Sequence, residues 1–166
     1  TTGDWVWSVA ISADGEYIAG SDGKKVYPFD KDSSTPLWNY TAGDYVRSVA
    51  ISAAGEYIAA GTGGDDDKVY LFGKNSSTPL WSYETGDEVY SVSISADGEY
   101  IAAGSEDNKV YLFDKDSSTG GSPVAYSISF SDMSVSLDVR PGASGVGCTE
   151  MLISNEGAAT IDVDVS

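Results

Sequence analysis

Three stretches of the chain repeat one another, and this constrains its fold more than any other feature. They run from Gly3-Asp4 to Asp30, from Gly43-Asp44 to Gly73 and from Gly86-Asp87 to Asp114. Each opens with Gly-Asp and an alternating run, WVWSVAIS, YVRSVAIS or EVYSVSIS. Each continues Ala-x-Gly-Glu-Tyr-Ile-Ala, at 13–19, 53–59 and 96–102, and passes a Gly/Asp-rich turn into KVYPFDK, KVYLFGK or KVYLFDK. The first two share SSTPLW, a polar residue and a tyrosine, ending at Tyr40 and Tyr83. Gly15 and Gly55 are 40 residues apart, and Gly55 and Gly98 are 43. The length differences fall in turns and strand ends, as in YIAG against YIAAG, or GTGGDDDK against GSEDNK. The segments between them are therefore the structural constants.

A period of two fits every run. In the second unit it places Val46, Ser48, Ala50 and Ser52 on one face and Arg47, Val49 and Ile51 on the other. Neither face is wholly polar, which suits a sheet packed between neighbouring sheets. Asp-Gly at 14–15 and 97–98 marks tight hairpins, and no window carries helical spacing over three turns. The fold class is all-β, with four short antiparallel strands per unit. Four strands in about 40–45 residues is the pattern of a β-propeller blade.

The run SVSISADGEYIAAGSEDNKVYLFD (91–114) resembles a WD40-type repeat in its small-residue strand, Asp-Gly turn, Gly-Ser, turn Asp107 and aromatic-Asp ending. It departs where Gly-Asp replaces the family's Gly-His and Phe113-Asp114 replaces Trp-Asp. Without that His, the resemblance implies that the family's buried hydrogen-bond network is not carried over intact. The Pro-Leu-Trp-x-Tyr strands (36–40 and 79–83) resemble instead the quinoprotein-like (PQQ-type) propeller repeats of bacterial and archaeal surface proteins. The two likenesses cover residues 1–119.

The units divide into blades at about 1–42, 43–85 and 86–119. Three blades do not close a ring, which typically needs about four to eight. An open arc exposes apolar blade faces, so the chain reads either as a piece of a longer protein or as a module that completes a ring by self-association. A linker at 120–122 precedes a C-terminal β segment, 123–166. Val124 to Ile128 is a candidate fourth strand for the third blade. SVSLDVRPG (134–142), GCTEMLISNEG (147–157) and ATIDVDVS (159–166) read as further strands, resembling the opening of an immunoglobulin-like β-sandwich.

Composition narrows function mainly by exclusion. The 166 residues contain no His and one Cys, Cys148, so there is no His-based nucleophilic triad, no His-ligated zinc and no internal disulfide. With 9 Lys+Arg against 26 Asp+Glu the net charge is −17, which disfavours nucleic acid and anionic membranes as partners. No run is long and apolar enough for membrane insertion. The acids are spread over the turns of all units, which reads as a solvated surface. No catalytic residue is assigned. Ser8, Ser48 and Ser91, like Ser12, Ser52 and Ser95, recur at fixed positions with no base to activate them.

Asp65, Asp66 and Asp67 form the densest carboxylate cluster and are the candidate site for a metal, with Ca2+ the cation such oxygen ligands suit. Asp4, Asp44 and Asp87 are expected to cap the turn into each first strand. Trp38 and Trp81 recur at one position, as packing elements between blades do, and no cofactor is assigned. Asn39 and Asn75 begin Asn-x-Thr/Ser motifs and are candidate glycosylation sites. The function expected is a non-catalytic binding or structural scaffold on a secreted or cell-surface protein, with a protein or glycan partner. The alternatives are a fragment of a quinoprotein-type dehydrogenase propeller and an intracellular WD40-like hub in a salt-tolerant organism.

Overall fold

The computed structural model describes residues 3–116 in full and residues 126–131 and 134–139 as backbone. The first sheet joins β1 (Val6–Ile11), β2 (Tyr17–Asp22), β3 (Lys25–Asp30) and β4 (Tyr40–Thr41) in sequence order. The second joins β5 (Val46–Ile51), β6 (Tyr57–Thr62), β7 (Lys68–Gly73) and β8 (Pro79–Glu84) in the same way. The third contains β9 (Val89–Ile94), β10 (Tyr100–Ser105), β11 (Lys109–Asp114), β12 (Tyr126–Ser131) and β13 (Ser134–Val139). All pairings are antiparallel. The protein is all-β and forms three adjacent blades of a partial propeller.

The repeat motifs make the hairpins. In the first unit Ser12 N–H donates to Tyr17 C=O at 2.9 Å, and Gly15 N–H donates to Ser12 C=O at 2.9 Å. Gly15, Gly55 and Gly98 sit at φ of 73°, 72° and 79°, a region costly for any residue with a Cβ. The hydroxyls of Ser12, Ser52 and Ser95 accept the amides of Tyr17, Tyr57 and Tyr100, which fixes each turn from inside.

Strict alternation fails at one position in every first strand. The register slips between Val46 and Ser48, between Val6 and Ser8, and across Val89 and Ser91. Trp7, Arg47 and Tyr90 are thus the extra residues of three equivalent β-bulges. The expectation that Val46 shares a face with Ser48 and Ala50 is corrected by this. The bulge turns Val46 to the side of Val49 and Ile51, and Val46 and Val49 are both buried.

Blades meet through a repeated seam. Ala10, Ala19, Val26, Trp38 and Tyr40 of the first blade pack on Val46, Val49, Ile51, Ile58, Ala60, Tyr70 and Phe72 of the second. Ala50, Ala59, Val69, Leu71, Trp81 and Tyr83 pack in the same way on Val89, Val92, Ile94, Ile101, Ala103, Tyr111 and Phe113 of the third. Trp38 lies 5.2 Å from Phe72 and Trp81 lies 5.2 Å from Phe113. Each indole N–H donates across the seam, Trp38 to Lys74 C=O at 2.6 Å and Trp81 to Lys115 C=O at 3.1 Å. The recurrent serines hold the inner strands together: Val49 N–H donates to Ser8 Oγ and Val92 N–H to Ser48 Oγ, both at 3.1 Å.

A recurrent network ties the turn aspartates to the Gly-Asp motifs. Asp66, almost fully buried, accepts Tyr70 OH at 2.9 Å, Lys68 Nζ at 3.0 Å and Gly43 N–H at 3.1 Å. Asp107 does the same with Tyr111 OH, Lys109 Nζ and Gly86 N–H, and Asp22 accepts Gly3 N–H at 2.8 Å. A tyrosine hydroxyl and a glycine amide therefore supply the donors to the turn aspartate. Burial, then the Asp66 hydrogen bond, pushes the Tyr70 phenol far above its ordinary value, so it stays a donor.

The fourth strand of the third blade falls at Tyr126–Ser131, two residues beyond the expected start. Tyr126 pairs with Leu112 as Trp81 pairs with Leu71, so Tyr126 occupies the tryptophan's register position. Ser134–Val139, read from sequence as the opening of a sandwich, pairs with β12 as a fifth strand of this sheet. The linker at 120–122, Cys148 and the strands expected at 147–157 and 159–166 lie outside the described residues.

Candidate functional site

The bulges decide what the scaffold shows at its Gly-Asp end. Each Gly-Asp aspartate accepts the next amide: Trp5 to Asp4 at 2.7 Å, Tyr45 to Asp44 at 2.8 Å and Glu88 to Asp87 at 2.9 Å. That cap turns the following side chain outward. After the inward valine, the bulged residue points outward too. Two positions per unit thus point outward at this end, and within the first-strand run they are the two at which all three repeats differ: Trp5 and Trp7, Tyr45 and Arg47, Glu88 and Tyr90.

These six side chains fall into two packed groups, Trp5, Trp7 and Tyr45, then Arg47, Glu88 and Tyr90. Trp5 and Trp7 have ring centroids 6.3 Å apart, and Trp7 and Tyr45 6.2 Å. Lys24 lies 5.7 Å from the Tyr45 centroid and pairs with Asp44 at 3.2 Å. Arg47 lies 5.5 Å from the Tyr90 centroid and pairs with Glu88 at 2.5 Å. Tyr90 OH donates to Glu106 at 2.6 Å. That bond, then burial, raises the Tyr90 phenol above its ordinary value. The aromatics are nonetheless open: Trp5 is 75% exposed, Tyr90 52%, Trp7 47% and Tyr45 45%. Arg47 Nε is buried without an acceptor, and Asp67 Oδ1 without a donor.

Of the three candidate metal ligands, Asp66 is committed to Tyr70, Lys68 and Gly43, while Asp65 is exposed. Asp67 sits at φ 46°, its carboxyl raised by burial and then by the charges of Asp87, Glu88, Asp65 and Asp66. No group of three or more Asp, Glu, Cys or His side chains is gathered for a metal among the described residues. Asn39 and Asn75 are both exposed. At the opposite end a groove of about 380 Å³ lies between the second and third blades, lined by Glu56, Tyr57, Lys74, Leu80 and Lys115. Its lysines are already engaged, Lys74 with Glu56 at 2.5 Å and Lys115 with Glu99 at 3.3 Å.

Reasoning from sequence passed over Arg47, Tyr45 and Tyr90 because they look like ordinary strand positions. The signal available was that all three units differ there, inside a run that is otherwise nearly constant.

Sheet order, seam chemistry and the open row define a propeller arc that offers a surface, in the manner of an interaction repeat. The chain belongs to the WD-repeat family: the pattern of the WD domain, G-beta repeat, matches residues 1–27, 34–72 and 77–114. No functionally curated protein matches the chain in sequence. Among solved structures it is similar to the β-propeller domain of Cps50 (Swd1) from Myceliophteria thermophila, with a TM-score of 0.66 at 17% identity. That similarity covers 77% of this chain and 40% of the other, and at such identity it shows the fold alone.

Proposed function

We propose that the chain is a non-catalytic scaffold that binds a protein segment on the row Trp5, Trp7, Tyr45, Arg47, Glu88 and Tyr90. The observation that carries this is the coincidence of variation with aromatic exposure at Trp5, Trp7, Tyr45 and Tyr90. Trp, Tyr and Arg side chains are the residues that dominate binding energy at interfaces. The Arg47 guanidinium, held by Glu88 through Nη2, stands beside Tyr90. WD propellers generally serve as interaction platforms, which supports a protein partner, and the exposed aromatics support the bulge-bearing end as its docking surface.

The test is selection of binders from a displayed peptide library against the immobilised chain. Trp7→Ala and Tyr90→Ala are each expected to weaken the selected peptides at least tenfold, about 1.4 kcal/mol or more. Asp32→Ala, at the far end, leaves them unchanged. Binders insensitive to the row would refute the assignment. We also propose a cell-surface setting, supported by the exposed Asn39 and Asn75 motifs. Expression in a glycosylating host should give mass shifts lost in Asn39→Gln and Asn75→Gln.

A further inference from the structure

The two end faces of the arc are the two halves of the seam that already forms twice inside the chain. The leading face of the first blade carries Val6, Val9 and Ile11, which are 52%, 68% and 63% exposed. Their counterparts Val46 and Val89 are 0% exposed, and Val49 and Val92 are 5% and 7%. Tyr27 and Phe29 are half-buried, where Phe72 and Phe113 are fully covered by the preceding blade's Trp and Tyr. This face lacks only a partner.

The trailing face of the third blade presents what that partner must have. Tyr17 sits against Gly55 and under Lys74 at 4.4 Å, and Tyr57 sits against Gly98 and under Lys115 at 5.4 Å. The next tyrosine, Tyr100, has no such socket and is 53% exposed. The matching socket is at the other end: Gly15 has open space where its Cβ would be, and Lys31 lies beside Glu16 at 3.4 Å. Ser91 is exposed, whereas Ser8 and Ser48 each accept a valine amide across a seam. The corresponding unused donor is Val9 N–H. Tyr126 and Ile128 hold the register positions that Trp81 and Tyr83 use to cover Phe113.

We infer that the occupant of each open face is a second copy of this chain, joined head to tail. The trailing face of one copy receives the leading face of the other, with Tyr100 seated on Gly15 beneath Lys31 and Ser91 Oγ accepting Val9 N–H. The joint is heterologous, so it either closes or propagates. Two copies of three blades make six, within the range of about four to eight blades that closed rings use, whereas three copies make nine. The closed species is therefore a dimer. This inference rests on the seam residues and is independent of the partner-binding row.

Sedimentation velocity and light scattering on the full chain across a micromolar concentration series test it. The expected mass is twice the 17.4 kDa of one chain. Val9→Arg on the leading face and Ser91→Arg on the trailing face each alter an exposed residue. Both should lower association at least a hundredfold while leaving the far-ultraviolet circular dichroism unchanged. Mixing the two monomeric variants should restore a one-jointed heterodimer, because each retains the face the other lacks. Trp7→Ala, whose ring packs within the chain on Tyr45, should leave the dimer intact, which separates this result from the fate of the partner-binding proposal. A monomeric wild type would overturn the inference and assign the faces to blades elsewhere in a longer chain or to another protein. Dimers that survive Val9→Arg, open-ended polymers, or a mixture that stays monomeric would overturn it equally.

Discussion

Replacing Asp66 by Ala tests whether the aspartate–tyrosine–glycine network holds a blade to the turn before it. The substitution removes the acceptor of Tyr70 OH, Gly43 N–H and Lys68 Nζ. Tyr70 is buried, and a buried hydroxyl left unsatisfied costs about 1–3 kcal/mol. The Gly43 amide lies near the surface and adds up to about 1 kcal/mol, since water can reach it. Lys68 is partly exposed and can turn to solvent, so its ion pair adds little. The expected loss is therefore about 1–4 kcal/mol. With a urea m-value of about 2 kcal/mol/M, that lowers the midpoint by about 0.5–2 M. Tyr70→Phe keeps the carboxylate's other two donors and should cost about 1–2 kcal/mol. Because the two residues share one bond, the double variant should be less destabilised than the sum by about 1 kcal/mol. The assay is urea denaturation followed by tryptophan fluorescence at one fixed protein concentration, since any association would move the midpoint. Asp65→Ala is the control: it removes the same charge from an exposed neighbour and should stay within about 0.5 kcal/mol of wild type. A loss below about 1 kcal/mol for Asp66→Ala, or strict additivity with Tyr70→Phe, would refute the reasoning.

Two further outcomes follow from the turns. Gly98→Ala should cost more than Gly15→Ala in a Val9→Arg background, as read by the urea midpoint: both glycines have positive φ, but only Gly98 would drive a Cβ into a tyrosine, Tyr57, at 2.5 Å. Asp67→Asn should raise the midpoint at pH 7. The raised carboxyl of Asp67 contributes stability below its unfolded value and loses it as pH rises through the folded one, so the gain from Asn should vanish on acidification below about pH 4. A gain that persists in acid would point to backbone conformation rather than charge.

Most of the architecture was legible in the repeats. Gly-Asp, Ala-x-Gly-Glu-Tyr and the Lys-Val-Tyr runs mark turn, hairpin and strand, because backbone conformation and burial act locally on those residue types. Trp38 and Trp81 could be read as seam residues from recurrence alone. The bulge at Arg47 could not, because period-two counting has no symbol for an inserted residue, and that one omission put Val46 on the wrong face. The same omission hid the candidate site, since Trp7, Arg47 and Tyr90 face this end only by virtue of the bulge. The Asp66–Tyr70 pair was also out of reach: the two are four residues apart in the chain, and only the β6–β7 turn brings the hydroxyl to the carboxylate. The pairing of Ser134–Val139 with β12 depends on a free strand edge, which an alternation pattern does not report.

The bulge has a consequence for how such a protein can change. A residue outside both ladder and seam carries little of the repeat's folding cost, so its identity can drift while the rest of the unit is held fixed. When a unit is duplicated, the copy inherits a stable blade with one unassigned letter at a set place. Trp7, Arg47 and Tyr90 spell a three-letter word on a common frame, and a new specificity requires only respelling it.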